Sequence, residues 1–142
     1  MKLGVPTVNH VPALHAYLSY ADPVAALEWL EAVGFHVVAR QEDDEGRVVH
    51  AEVRLGEVAL MVAGADDAYD VPSLRGSTTG QGLYLWLPSS EEVDGWFAAA
   101  VAAGASPVVA PEFTQWAARR ARVLDPEGHE WSVGTYRPGQ SW

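Results

Sequence analysis

The constraint that most limits what this chain can fold into is an internal repeat. The succession strand, helix, strand, strand, strand is legible twice along it. In the first copy Leu14, Ala16 and Leu18 alternate with His15, Tyr17 and Ser19, the period of a strand buried on one face. Asp22 then offers a helix N-cap and Pro23 a preset first turn. Leu27, Leu30 and Val33 recur at helical spacing, and Gly34 supplies the stop. The spacing predicts a helix over 23–33. Phe35 to Arg40 reads as a strand, the acidic run 41–46 as a turn, Arg47 to Leu55 as a strand, and Val58 to Val62 as another beyond Gly56. The stretch from Gly64 to Gly82 has no sustained period and reads as a linker. The order then restarts. Gly82 to Leu87 alternates, Ser89 and Glu92 have capping-box spacing, and Val93, Trp96, Phe97, Ala100 and Val101 form an apolar helical stripe. Strands follow at Pro107 to Ala110, Ala117 to Val123 and Glu130 to Tyr136. The helix-ending Gly34 and Gly104 lie about 70 positions apart, and the turn glycines Gly56 and Gly128 about 72, as a duplication requires.

With 142 residues and 49% hydrophobic content, the chain can bury one sizeable core but hardly two. Both copies are therefore expected in one domain spanning residues 1–142, with module one at about 11–63, the linker at about 64–81 and module two at about 82–137. No run approaches the roughly 18 apolar residues of a membrane span, and the first ten residues lack the features of a signal peptide. A cytoplasmic location is expected. Cysteine is absent, which excludes disulfides, thiolate metal sites and cysteine nucleophiles together. A formal charge of −10 repels phosphate backbones and anionic lipid, so neither nucleic acid nor membrane is an expected partner. Small cationic or neutral ligands remain open.

Three segments carry a resemblance to a known family. His15-Ala16-Tyr17-Leu18-Ser19-Tyr20-Ala21-Asp22 resembles the first strand and helix cap of glyoxalases, where a metal-ligating His precedes an Asp by seven positions. Asp125-Pro126-Glu127-Gly128-His129-Glu130-Trp131-Ser132-Val133-Gly134-Thr135-Tyr136 resembles the ending of bacterial glyoxalase-like and bleomycin-resistance-like proteins, and Glu112 to Arg119 the loop and strand before it. From about residue 11 to residue 137 the chain is similar to the vicinal oxygen chelate superfamily of glyoxalases, bleomycin resistance proteins and extradiol dioxygenases. The resemblance implies an α+β fold in which two βαβββ modules form a curved mixed sheet around a cavity.

It also implies where a metal would sit. Carried over by strand register, the ligand positions of the family's enzymes fall on His15, Met61, Gly82 and Ser132, or on Leu83 if the fifth strand is shifted by one. Only His15 among them is a ligand, whereas a catalytic divalent ion needs about three from the protein. No metal and no cofactor are expected.

Alternation assigns the cavity wall. If Val49, Ala51 and Val53 face the helices, then His50, Glu52 and Arg54 face the concave side. Leu83, Leu85 and Leu87 likewise turn Tyr84 and Trp86 inward, and Trp131 with Val133 turn Glu130 and Ser132 inward. With His15, Tyr17, Ser19, Met61 and a lid at Trp116, this wall of amphipathic rings suits a flat, partly apolar ligand. Each residue has a plainer reading beside this one. His15 can be the relic of a metal site, hydrogen-bonded to Glu or Ser; His50 and Glu52 can belong to a solvated sheet face; Trp116 can be a dimer or core contact. Trp29, Trp96 and Trp131 belong to the core by their spacing, and His10, His36 and His129 show no clustering.

Two functions remain. One is a metal-free protein that binds and sequesters an aromatic or cationic compound, in the manner of antibiotic-resistance proteins of this family. The alternative is a lyase, isomerase or dioxygenase of the same superfamily, using Glu52 or Glu130 with His50 as acid–base groups. The resemblance further implies a homodimer. The N-terminal extension Met1 to Val11 is available for exchange between chains, and the small-residue surface from Ala98 to Ala105 for the interface. A monomer would have to cover that surface with its own ends, including Pro138 to Trp142. Elemental analysis after native purification is expected to find no stoichiometric metal. Zinc, nickel, iron or manganese at one ion per chain would reject the metal-free reading.

Overall fold

The computed structural model describes residues 13–64 and 79–139. The N-terminal extension proposed for exchange, His10, most of the linker, and the last three residues lie outside the described residues. The elements are β1 (Tyr17–Tyr20), α1 (Pro23–Ala32), β2 (His36–Glu42), β3 (Val48–Leu55), β4 (Val58–Gly64), β5 (Gly82–Trp86), α2 (Ser90–Ala102), β6 (Ser106–Phe113), β7 (Arg119–Leu124) and β8 (Glu130–Gly134). The βαβββ order therefore occurs twice, as the repeat implies. The strands form two four-stranded mixed sheets, ordered β1-β4-β3-β2 and β5-β8-β7-β6, and neither closes into a barrel. In each sheet the first strand lies parallel to the fourth, and the remaining pairs are antiparallel. Among the described residues no helix is long and apolar enough to cross a membrane.

Local chemistry accounts for both helices. The Asp22 carboxylate accepts from the Ala25 N–H at 3.1 Å and the Ser89 hydroxyl from the Glu92 N–H at 3.2 Å, so each first turn has a capped donor. Each helix ends before a glycine in the left-handed region, Gly34 at φ +110° and Gly104 at φ +115°. Between the helices lies an aromatic cluster drawn from both modules. Trp29 packs edge-on against Trp131 at 5.4 Å and Trp96 at 6.3 Å, and Phe35 against Trp131 at 6.0 Å. The Trp29 Nε1–H donates to the Ala100 carbonyl at 3.2 Å. Ala100 and Ala105 are buried within the chain, and Ala100 receives Trp29 of α1, so part of the small-residue surface expected at a dimer interface is used inside the chain.

Bulges break the alternation that sequence reading relies on. Val38 in β2 and Val108 in β6 are extra residues opposite their partner strands, and they are 55% and 51% exposed. They occupy equivalent places in the two repeats, and an extra residue of this kind bends a strand locally. A third extra residue, Val49 in β3, lies between the pairs Gln41–His50 and Glu42–Val48. The expected inward Val49 is therefore exposed, and Val48 takes its place in the core. The first strand also begins later than alternation suggests: Leu14 is 99% exposed, while Leu18 and Tyr20 are buried.

A buried carboxylate joins the modules. Asp125, 3% exposed, accepts from the Tyr20 hydroxyl at 2.7 Å, Trp131 Nε1 at 3.2 Å, and the backbone N–H groups of Glu127 and His129 at 3.0 Å each. Glu127 in the same turn reaches across to the N–H groups of Ala21 and Asp22, at 2.8 and 2.9 Å. Burial, and then the Asp125 charge, hold the Tyr20 phenol far above its ordinary range. The unfolded chain thus releases a proton from Tyr20 near pH 10 that the folded chain retains, so this contribution to stability is complete below about pH 10 and declines above it. Tyr20→Phe should lower stability by about 1.5–3 kcal/mol, the range for a hydrogen bond to a charged group. Urea midpoints followed from about pH 8 to pH 11 should fall more steeply in the wild type than in Tyr20→Phe; equal slopes would remove Tyr20 from this role.

Candidate functional site

Two recesses lie around β5. One, of about 660 Å³, opens between the modules and is lined by His15, Tyr17 and Phe35 from the first and Tyr84, His129 and Glu130 from the second. The other, of about 390 Å³, lies on the open face of the second sheet, where Tyr84, Trp116, Arg120, Arg122, Glu130 and Ser132 meet. Tyr84 and Glu130 belong to both. Strand register explains the second recess: Tyr84 on β5, Ser132 on β8 and Arg122 on β7 lie abreast, so their side chains leave the same side of the sheet. Ala121, Val123, Trp131 and Val133 occupy the intervening positions and are buried on the helix side.

The first sheet has a matching row in Tyr17, Met61 and Glu52, with Ser19, Ala63 and His50 abreast of one another beside it. The proposed wall residues are thus divided between two sheet faces. His15, Tyr17, Tyr84 and Glu130 meet in the inter-module recess, and Trp116 and Ser132 join Tyr84 and Glu130 in the second. His50, Glu52 and Met61 stand together on the first sheet, apart from these. The Ser19 carbonyl accepts from His129 Nε2 at 3.0 Å, linking the modules. Trp86 donates its Nε1–H to the Thr135 carbonyl at 3.1 Å and lies beneath the Arg137 guanidinium at 4.7 Å, a cation–π contact. Arg54 is exposed and bonds to the Gly56 carbonyl.

The donor set for a metal is poor. His15 Nδ1–H donates to the Ala59 carbonyl at 2.8 Å, rather than bonding to a Glu or Ser. Among the described residues no three His, Asp or Glu side chains converge as a metal site would require. The matching positions Met61, Gly82 and Ser132 add no strong ligand, so the residues do not fit the ion that enzymes of the resembled family carry. The nearest approach to an acid–base pair is His50 Nε2 at 2.9 Å from the Glu52 carboxylate.

Alternation in Arg120-Ala121-Arg122-Val123 carried a signal for two further wall residues, because two core residues at alternate positions turn both arginines into the second recess. Arg120 is neutralised there, its Nε donating to Glu112 at 2.9 Å and its Nη2 at 2.6 Å. Arg122 donates from Nε to the Ser132 hydroxyl at 2.8 Å, with the Glu130 carboxylate at 3.9 Å. Tyr84 donates its hydroxyl to the Tyr136 carbonyl at 2.6 Å, and burial raises its phenol above the ordinary range. His129 and Asp125 had no pattern to announce them; their roles follow from a turn folding against the other module. Trp116 sits at the tip of the hairpin between β6 and β7, 66% exposed.

Comparison with known proteins agrees with this architecture. The sequence model of the Glyoxalase/Bleomycin resistance protein/Dioxygenase superfamily matches residues 8–133. The uncharacterized protein Mb0911c of Mycobacterium bovis is 31% identical over 135 residues, which span 89% of this chain and 85% of that protein. TioX from Micromonospora sp. ML1 superposes with a TM-score of 0.66 at 30% identity, covering 92% of this chain and all of TioX. A bleomycin-binding protein solved in complex with bleomycin superposes with a TM-score of 0.60 at 17% identity, covering 89% of this chain and all of that one, a likeness of fold.

Proposed function

Since the chain belongs to the glyoxalase/bleomycin resistance protein/dioxygenase superfamily, we propose that it is a metal-free member that binds and sequesters an aromatic small molecule on the open face of its second sheet. The observation that carries this reading is the recess in which Tyr84 and Trp116 stand beside the polar groups of Arg122, Ser132 and Glu130. Rings supply contact area with little entropy to lose, and a few fixed polar groups orient the ligand. The bleomycin complex of a protein sharing this fold supports small-molecule capture as a use of the scaffold. The cationic ligand suggested by overall charge is less favoured, because two arginines line this wall. The His50–Glu52 pair favours a second reading, acid–base catalysis by a lyase or isomerase, on the other sheet.

The same reading includes a homodimer. Each sheet presents an open face with exposed rings, Tyr17 on the first and Tyr84 and Trp116 on the second. A second copy would enclose them in an interface of on the order of 1,600 Å². The expected cytoplasmic location belongs to this proposal as well.

Two measurements test these points. Aromatic compounds should quench tryptophan emission, and Trp116→Phe should remove most of the change, with Trp86→Phe a smaller part; binding that leaves both variants unaltered would move the site elsewhere. Light scattering coupled to size exclusion should give twice the 15.3 kDa chain mass. A mass of one chain at micromolar concentration rejects the dimer.

A further inference from the structure

Resting on the reading that the second recess binds a small molecule, we infer that its ligand is an aromatic carboxylate and that Arg122 holds the carboxylate. Three charged side chains line the recess. Two are cations, Arg120 and Arg122, and each has one carboxylate beside it, Glu112 for Arg120 and Glu130 for Arg122, in a chain whose formal charge is −10. Arg120 is already paired, both of its bonds going to Glu112. Arg122 is paired through Nε alone, by a hydrogen bond to the Ser132 hydroxyl at 2.8 Å and a long ion pair to the Glu130 carboxylate at 3.9 Å; its terminal nitrogens have no hydrogen bond to a described residue. Glu130 itself accepts from the Thr79 hydroxyl at 3.3 Å.

This arrangement orients the guanidinium from its Nε side, with Glu130 as a distant counter-charge. Ser132 fixes the Nε side of the fork, which leaves the edge formed by the two terminal nitrogens available. That edge matches a planar carboxylate with two parallel N–H···O bonds. A dianionic phosphate is less suitable, because a single guanidinium already shared with the Glu130 carboxylate would have to offset two further charges. The acidic remainder of the molecule does not forbid an anion here. At physiological salt, exposed charges beyond about 8 Å are largely screened, whereas a direct ion pair in a recess is screened far less.

The ring of the ligand has its partners in the same recess. Trp116 is held there by a hairpin in which Thr114 N–H donates to the Ala118 carbonyl at 2.8 Å and Ala117 N–H to the Thr114 carbonyl at 3.0 Å. Ala117 adopts φ +63° in this turn, at the place where the first module has Gly46 at φ +79°. A non-glycine residue in the left-handed region is under local strain. The turn beside Trp116 retains that conformation without the residue best suited to it.

The test uses the full chain and three matched probes: 2-naphthoate, 2-naphthamide and 2-naphthylmethylamine, titrated by calorimetry. Wild type should bind the acid about tenfold more tightly than the amide and more tightly still than the amine, with the gap narrowing as salt is raised. Arg122→Gln should bring the acid to the affinity of the amide and leave the amide unchanged, whereas Trp116→Ala should weaken acid and amide alike. Equal binding of acid and amide by the wild type, or preference for the amine, would overturn the carboxylate assignment and leave small-molecule binding intact. Failure of all three probes to bind would count against both. Acid selectivity that survives in Arg122→Gln would remove Arg122 from the role.

Discussion

The Asp125 carboxylate is the interaction on which the rest of the arrangement depends. A charge removed from water is tolerated only when its lone pairs are occupied, and here a phenol, an indole and two backbone N–H groups occupy them. One of those donors, Tyr20, comes from the end of β1 in the other module. Satisfying the carboxylate therefore means docking β1 against the turn that precedes β8. Glu127 and His129 from the same turn add bonds to Ala21, Asp22 and Ser19, so the contact fixes an angle as well as a distance. The inter-module recess, with Tyr17 on one side and His129 and Glu130 on the other, exists because this clasp is closed.

The modules share a plan but have diverged in what their sheets present. Both outer strands carry a bulge at the equivalent place, Val38 and Val108. The abreast rows differ in charge: Tyr17, Met61 and Glu52 in the first, Tyr84, Ser132 and Arg122 in the second. Duplication supplied the topology twice, and substitution put a carboxylate in one row and a guanidinium in the other. A ligand that prefers one face can do so on electrostatic grounds alone. The hairpins diverged as well. Asp43 in the first turn receives the Arg47 N–H at 2.9 Å, and Thr114 in the second receives the Ala118 N–H at 3.1 Å, the same closure made by a different side chain. Only the second carries a tryptophan at its tip.

Membership of the superfamily leaves the chemistry open, since a fold fixes where a site can be built rather than what it does. His15, where the resemblance implies a metal ligand, donates to a carbonyl, and among the described residues no three His, Asp or Glu side chains converge. The sheets present rings, an oriented guanidinium, hydroxyls and the His50–Glu52 pair.

The sequence by itself determined the repeat, the capped helices with their glycine stops, the tryptophan core and the side of each regular strand that faces it. These depend on period, propensity and local hydrogen bonding, which neighbouring residues settle among themselves. Alternation also placed Tyr84, Glu130 and Ser132 on an open face, and the pattern Arg120-Ala121-Arg122-Val123 held the same information about the two arginines. Tertiary structure alone decided the remainder. Val48 replaces Val49 in the core because a bulge adds one residue to a strand, and the strand's own sequence does not say where its partner skips. Leu14 is exposed because it precedes the paired part of β1, which begins at Tyr17. Asp125 reads as a turn residue until Tyr20 and Trp131 are folded onto it. The proposed wall residues fall on two separate faces because a period of two distinguishes inside from outside but cannot say which inside, and only the docking of one module on the other does that.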